Sequence, residues 1–144
     1  LQRNRGIRNN TNSNNTVTGI KPGTTVAEVV STVSVTGGTV VVLDANEKVK
    51  TDGKICTGDM VAGMDLSGNY VSVYTVVLYG DVNGDGDITI KDLLVLRKYL
   101  LGTTTLEGAY LQAGNTNKDQ NGATIKDILV LRKQLLGSAT IEQN

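Results

Sequence analysis

The sequence has no His, no Phe and no Trp, and only one Cys and one Pro in 144 residues. Each shortage removes a class of chemistry. Without His there is neither an imidazole base nor an imidazole metal ligand. One Cys can form no disulfide within the chain and cannot build a multi-thiolate zinc site. Five Tyr are the only aromatic residues, and 14 Lys and Arg are matched by 14 Asp and Glu. A nucleic-acid binder needs a basic field and stacking rings, so that class of partner is excluded. The longest apolar runs are only a few residues, far short of the ~20 that a helix needs to cross a bilayer, so no membrane insertion is expected. Leu1 to Asn10 carries three Arg and no apolar stretch. It does not read as a signal peptide, and the chain is expected to be a fragment of something longer.

What is present is unevenly distributed. The net charge is +3 over residues 1–15, −2 over 16–79 and −1 over 80–144, so the zero total is a cancellation between unlike segments. Residues 1–15 are polar and Asn-rich without hydrophobic periodicity, and read as a linker or tag remnant. Residues 16–79 read as a small α+β module. TVTGI at 16–20 is strand-like, and Pro22-Gly23 marks a turn. Thr25 with Glu28 has the spacing of a capping box, ahead of Val26, Val29, Val30 and Val33 at helical spacing. TVVVLDA reads as a strand, a weaker strand pair is expected around Ile55 to Met64, and NYVSVYTVVLY at 69–79 is the strongest strand pattern in the chain. A module this small is expected to pack against its neighbour.

The remainder is a repeat. TIKDLLVLRKYLLG at 89–102 and TIKDILVLRKQLLG at 124–137 agree at 12 of 14 positions, offset by 35 residues. Such self-similarity marks one supersecondary unit used twice. Leu93, Leu96 and Leu100 have helical spacing, and each copy closes on a Gly suited to a helix end.

The segment before each helix carries the chemistry. In GDVNGDGDITIKD, Asp81, Asn83, Asp85, Asp87, Thr89 and Asp92 occupy positions 1, 3, 5, 7, 9 and 12, with Gly86 at position 6. This is the spacing of an EF-hand loop, where alternate side chains converge on one hard cation and a Gly permits the sharp turn. Position 7 ordinarily ligates through its backbone carbonyl, so Asp87 adds charge more than a side-chain ligand. Position 12 is Asp92 rather than the longer Glu. The second loop, GNTNKDQNGATIKD, places Asn115, Asn117 and Asp119 at positions 1, 3 and 5, with Thr124 and Asp127 closing it. Asp127 follows Asp119 by eight residues where Asp92 follows Asp85 by seven, so one residue is inserted. Gln120 stands in the place of Gly86, and Asn121 or Gly122 is left to take the left-handed conformation. With two carboxylates against three, the second of the two calcium sites is expected to be the weaker or altered one.

These residues resemble the dockerin modules of bacterial cellulosomes and related extracellular assemblies. The resemblance rests on GDVNGDGDITIKD with Asp at position 12, on loop-then-helix order without an entering helix, and on the near-duplicate second unit. LEGAYLQAGNTN is similar to the short middle helix that leads into a dockerin's second loop. The expected architecture is therefore an α+β module over 16–79 followed by an all-α dockerin over 80–144 with two EF-hand-like loop-helix repeats. The resemblance implies two bound Ca²⁺ and a cohesin partner on a scaffoldin or cell-surface protein. It also implies an extracellular, secreted or surface-attached location and no enzymatic activity. Contact positions carried over from the family are Ile90, Lys91, Arg97 and Lys98 in the first unit, and Ile125, Lys126, Arg132 and Lys133 in the second. Leu94 and Leu101, with Leu129 and Leu136, lie beside them. The duplication implies an approximate two-fold axis and a dual binding mode. Ile90 and Ile125 lean towards the dockerin type with hydrophobic contacts, the paired basic residues towards the other, and the sequence leaves the type open. Residues 16–79 resemble, less specifically, the X-type or Ig-like modules that precede dockerins.

Two other functions compete. A calcium sensor or buffer should expose a Met-rich groove, yet Met60 and Met64 both lie outside the repeats. A carbohydrate-binding accessory module of an extracellular glycoside hydrolase would want an aromatic platform. Tyr70, Tyr74 and Tyr79 are the rings at hand, and at strand period two only Tyr70 and Tyr74 share a face. Cys56, with no adjacent base, reads as a small buried hydrophobe rather than a nucleophile.

Overall fold

The computed structural model describes residues 2–3, 10–11, 15–34 and 38–143. The linker expected over 1–15 falls largely outside these. Its described pieces pair as short strands, β1 (Gln2–Arg3) and β2 (Asn10–Thr11). The chain continues through β3 (Thr16–Thr18), helix α1 (Val26–Thr32), β4 (Val33–Ser34), β5 (Gly38–Leu43), β6 (Val49–Lys50), β7 (Met60–Asp65) and β8 (Tyr70–Val76). A six-stranded sheet runs in the order β2-β3-β8-β7-β5-β6, while β1 pairs with β4. All pairs are antiparallel except β3 and β8, which lie parallel with Thr16 opposite Thr75 and Val17 opposite Val76.

This overturns the α+β expectation for residues 16–79. Five strands of one sheet occupy residues 16–76, and a single helix of seven residues packs on them among the described residues. The reason lies in the Val and Thr content. Branched side chains fit a pleated surface better than a helix, and the helical spacing beginning at Val26 breaks off where Val33 enters β4. The capping box that starts α1 does form: Glu28 N–H donates to Thr25 Oγ1 at 3.2 Å, and Thr25 N–H reaches back to Glu28 Oε1 at 3.4 Å. Val42 on β5 opposes Val61 on β7, which opposes Tyr74 on β8, and this face closes over Val26 and Val29 of α1 in one buried core. Where a strand pair is expected around Ile55 to Met64, β7 stands alone, preceded by a turn at 54–59.

The C-terminal part holds α2 (Ile90–Leu100), α3 (Gly108–Gly114) and α4 (Ile125–Leu135). Thr89 and Thr124 cap α2 and α4, and each forms a capping box with the Asp three residues on, Asp92 or Asp127. Leu96 and Leu131, both fully buried, are the inward side chains of the two helices and share a core with Ile141. The junction between sheet and helices has no slack. Leu78 belongs to the core of the sheet and Tyr79 packs on that of the helices. Gln143 closes the seam from the far end of the described chain. Its Oε1 accepts Tyr79 N–H at 2.8 Å, its Nε2 donates to Tyr79 O at 3.0 Å, and its carbonyl accepts Gly19 N–H at 2.9 Å.

Two hydrogen bonds rest on the Gln143 side chain, each contributing about 0.5–1.5 kcal/mol, so Gln143→Ala should lower unfolding free energy by about 1–3 kcal/mol in urea denaturation. A loss below about 0.3 kcal/mol would show that the seam holds without it.

Candidate calcium loops

The first loop is built from backbone donors turned onto carboxylates. Asp81, without solvent exposure, accepts Asp85 N–H on Oδ1 at 3.1 Å and Gly86 N–H on Oδ2 at 3.0 Å. Asn83 Oδ1 accepts Asp85 N–H at 3.2 Å, and Asp85 Oδ1 accepts Asp87 N–H at 2.9 Å. Asp92, also fully buried, ties the exit to the entrance by accepting Asn83 N–H at 3.1 Å and Thr89 N–H at 2.8 Å. Gly86 has φ of +87°, the left-handed turn that its place at position 6 requires.

The result brings carboxylate oxygens of Asp81, Asp85 and Asp92 within 4.8 Å of one another. Burial pushes Asp81 up to about 6, opposed by the N–H groups of Thr57 and Gly86 and reinforced by the charges of Asp92 and Asp85. Burial also raises Asp92. Three converging carboxylates, two of them removed from water, fit a divalent cation of the hard, oxygen-seeking kind. Asp87 stands apart, its carboxylate on the ammonium of Lys54. Thr89 Oγ1 accepts Lys91 N–H as the helix cap.

The second loop repeats the scaffold despite its inserted residue. Asp127 accepts Asn117 N–H at 3.0 Å and Thr124 N–H at 2.6 Å, the counterparts of the two bonds to Asp92. Asn117 Oδ1 accepts Asp119 N–H at 3.2 Å, as Asn83 does for Asp85. The extra residue is absorbed between Asp119 and Thr124, where Gly122 takes φ of +71°. Lys118, at the place of Gly84, is also left-handed at +57°, with its ammonium 5.0 Å from the centre of the Tyr79 ring. Asn115 Nδ2 donates to Asp119 O at 2.9 Å, while Asn115 Oδ1 is buried and finds no hydrogen-bond partner among the described residues. An oxygen left without a donor at loop position 1 fits a cation.

Three contributors escape sequence reasoning. Thr57 N–H donates to Asp81 Oδ2 at 2.9 Å, Lys54 pairs with Asp87, and Thr116 Oγ1 donates to the carbonyl of Asp127 at 2.9 Å. Thr57 and Lys54 lie in the turn before β7, and no spacing links them to the loop. Cys56 in the same turn is only partly buried, with Lys50 Nζ 3.5 Å from its sulfur. Burial, then the charge of Asp59, pushes its thiol up, against a reactive role.

All twelve side chains expected to contact a partner are exposed. The two units present them alike: Ile90 and Ile125 are 56% and 64% accessible, Leu94 and Leu129 46% and 50%, Leu101 and Leu136 69% and 72%. Residues 79–136 match the family of the dockerin type I domain. The match supports a dockerin module over this segment. Dockerin domains are calcium-dependent, bind cohesins and are non-catalytic, and the model matched is that of the type I domain. The match does not reach residues 16–78 and lends nothing to their resemblance to X-type or Ig-like modules. No curated protein and no solved structure matches the chain. Among the described residues no helix is long and apolar enough to cross a membrane.

The raised value of Asp81 carries a sign. With no cation, its protonated form favours the dockerin fold below the ordinary carboxylate range, and that contribution is lost as pH rises through about 6. In chelator, the dockerin's thermal midpoint should therefore fall between about pH 4.5 and about pH 7, and calcium at pH 7 should reverse the fall. A midpoint that rises with pH in chelator would contradict this account of Asp81.

Proposed function

We propose that the chain anchors its parent protein, through calcium, to a cohesin on a scaffoldin or cell-surface protein outside the cell. It divides into a sheet unit, 16–79, and the dockerin, 80–144. Asp81, Asn83, Asp85 and Asp92, with the backbone of Asp87 and a contribution at Thr89, hold the first ion. Asn115, Asn117, Asp119, Thr124 and Asp127 hold a second, weaker one. Calcium supplies charge compensation to carboxylates that would otherwise repel one another inside the fold. The protein's residues do the rest. Asp92 and Asp127 each serve as loop closure and helix cap together, so an ordered loop also fixes where its helix begins.

The observation that carries the cohesin reading is the equivalence of the two exposed helix faces. Ile90, Leu94 and Leu101 on the first face, and Ile125, Leu129 and Leu136 on the second, are apolar side chains left in water. Arg97 with Lys98, and Arg132 with Lys133, flank them with charge and with stems able to cover apolar surface. A partner that fits one face fits the other after a half-turn, which supports dual binding.

Calorimetry against a panel of type I cohesins tests both points. Binding should require calcium and disappear in chelator. Charge reversal of Lys91, Arg97 and Lys98 with Ile90→Asp should leave affinity within about tenfold, whereas the same changes at both faces should cost more than about a thousandfold. Loss of binding from the one-face variant would assign the contact to that face alone.

A further inference from the structure

The turn at 54–59 belongs to the sheet, yet it touches the first loop at its most buried ligand. Asp81 Oδ2 accepts two N–H groups, Gly86 at 3.0 Å from within the loop and Thr57 at 2.9 Å from outside it. Oδ1, with the single donor Asp85, is left the freer oxygen. The second loop has no equivalent of Thr57 among the described residues, and its position 1 is the partnerless Asn115 Oδ1. The turn and the loop also meet at glycines. A Cβ on Gly84 would lie 2.7 Å from the Tyr110 ring and 2.9 Å from Thr57 O, and one on Gly86 3.1 Å from Cys56 Sγ and 3.3 Å from Ile55 O, so the turn lies against both glycines with no room for a side chain at Gly84.

The turn is itself held by the sheet. Thr57 Oγ1 accepts Leu78 N–H at 3.0 Å and donates to Leu78 O at 3.2 Å. Gly58 N–H donates to Val76 O at 3.0 Å, and Val76 N–H to Asp59 O at 2.7 Å. The Asp59 carboxylate accepts Cys56 N–H at 2.9 Å and is neutralised by Lys50 of β6 at 2.6 Å. From β6 and β8, a chain of bonded groups therefore leads to the carboxylate at loop position 1.

We infer that this turn is the outer wall of the first calcium loop and sets its affinity, with Thr57 as the positioning residue. The inference rests on the reading of 81–92 as a calcium site. Affinity in such loops depends on rigidity as well as charge, and groups that orient a ligand typically change it by about 10–100-fold. The coupling is reciprocal: whatever factor the turn contributes to calcium binding, calcium returns to the ordering of the turn. An ion bound in the dockerin thus steadies part of a sheet that contributes no ligand to it.

Calcium titration of the full chain by NMR tests this, with the amides of Gly86 and Gly122 as separate reporters of the two loops. Thr57→Val removes the hydroxyl that pins the turn to Leu78. Lys50→Met with Asp59→Asn removes the ion pair without changing net charge. Each should raise the Gly86 midpoint about tenfold and leave that of Gly122 within about twofold, while Thr57→Ser should keep the original midpoint. Hydrogen exchange of the unaltered chain is the second readout and needs no variant to fold. The Thr57 amide should exchange at least about tenfold more slowly with calcium than in chelator. Unchanged Gly86 midpoints, an equal shift at both loops, or Thr57 exchange indifferent to calcium would each overturn the proposal while leaving the calcium site in place. A Gly86 signal in the unaltered chain that ignores calcium would overturn the site and the proposal with it.

Discussion

Carboxylates that must be held together against their own repulsion are the constraint from which the C-terminal half is built. Asp81 and Asp92 are withdrawn from water, and Asp85 is brought to within 4.8 Å of both. The fold answers with backbone N–H groups turned onto Asp81 and Asp92, among them those of Thr57, Asn83, Asp85, Gly86 and Thr89. Those donors orient the oxygens without cancelling the charge. A divalent ion would complete the arrangement, and the helix that follows takes its starting point from the same Asp92 that closes the loop. Loop and helix are therefore one element, joined through Asp92, rather than a site attached to a scaffold.

The duplication shows which features of that element are indispensable. Between the two loops, a carboxylate at position 1 becomes Asn115, the glycine at position 6 moves, and a residue is inserted. The Asp that caps the helix and its two backbone donors persist unchanged in geometry. Left-handed backbone persists at position 4 as well, through Gly84 in one copy and Lys118 in the other. The variable part is the charge offered to the ion; the constant part is the attachment of loop to helix.

The helical half was legible in the sequence because its determinants are local. Ligands at every second residue, a Thr-x-x-Asp cap and leucines at helical spacing all lie within a dozen residues of one another. The sheet half was misread as α+β for the converse reason. Strand segments such as TVVVLDA and NYVSVYTVVLY stand out, but pairing β3 beside β8, or seating a turn against a loop 24 residues on, depends on contacts that no window contains. Val26 to Val33 carries a helical pattern that ends within two turns, because Val33 is drawn into pairing with β1. Thr57 is the clearest case: its backbone amide, which any residue but proline possesses, does the orienting, so residue type gives no warning of it.

The parallel pairing of β3 with β8 bears on how the chain transmits force. β3, which follows the edge strand β2, and β8, the strand that leaves the sheet for the helices, are neighbours, joined by Thr75 N–H to Asn15 O at 2.9 Å and Val77 N–H to Val17 O at 3.0 Å. A pull applied between the start of β3 and the end of β8 would draw these strands in opposite directions along their lengths. Their hydrogen bonds, which run across the strands, are then strained side by side rather than opened one after another. A load across this one pair would therefore be carried in shear.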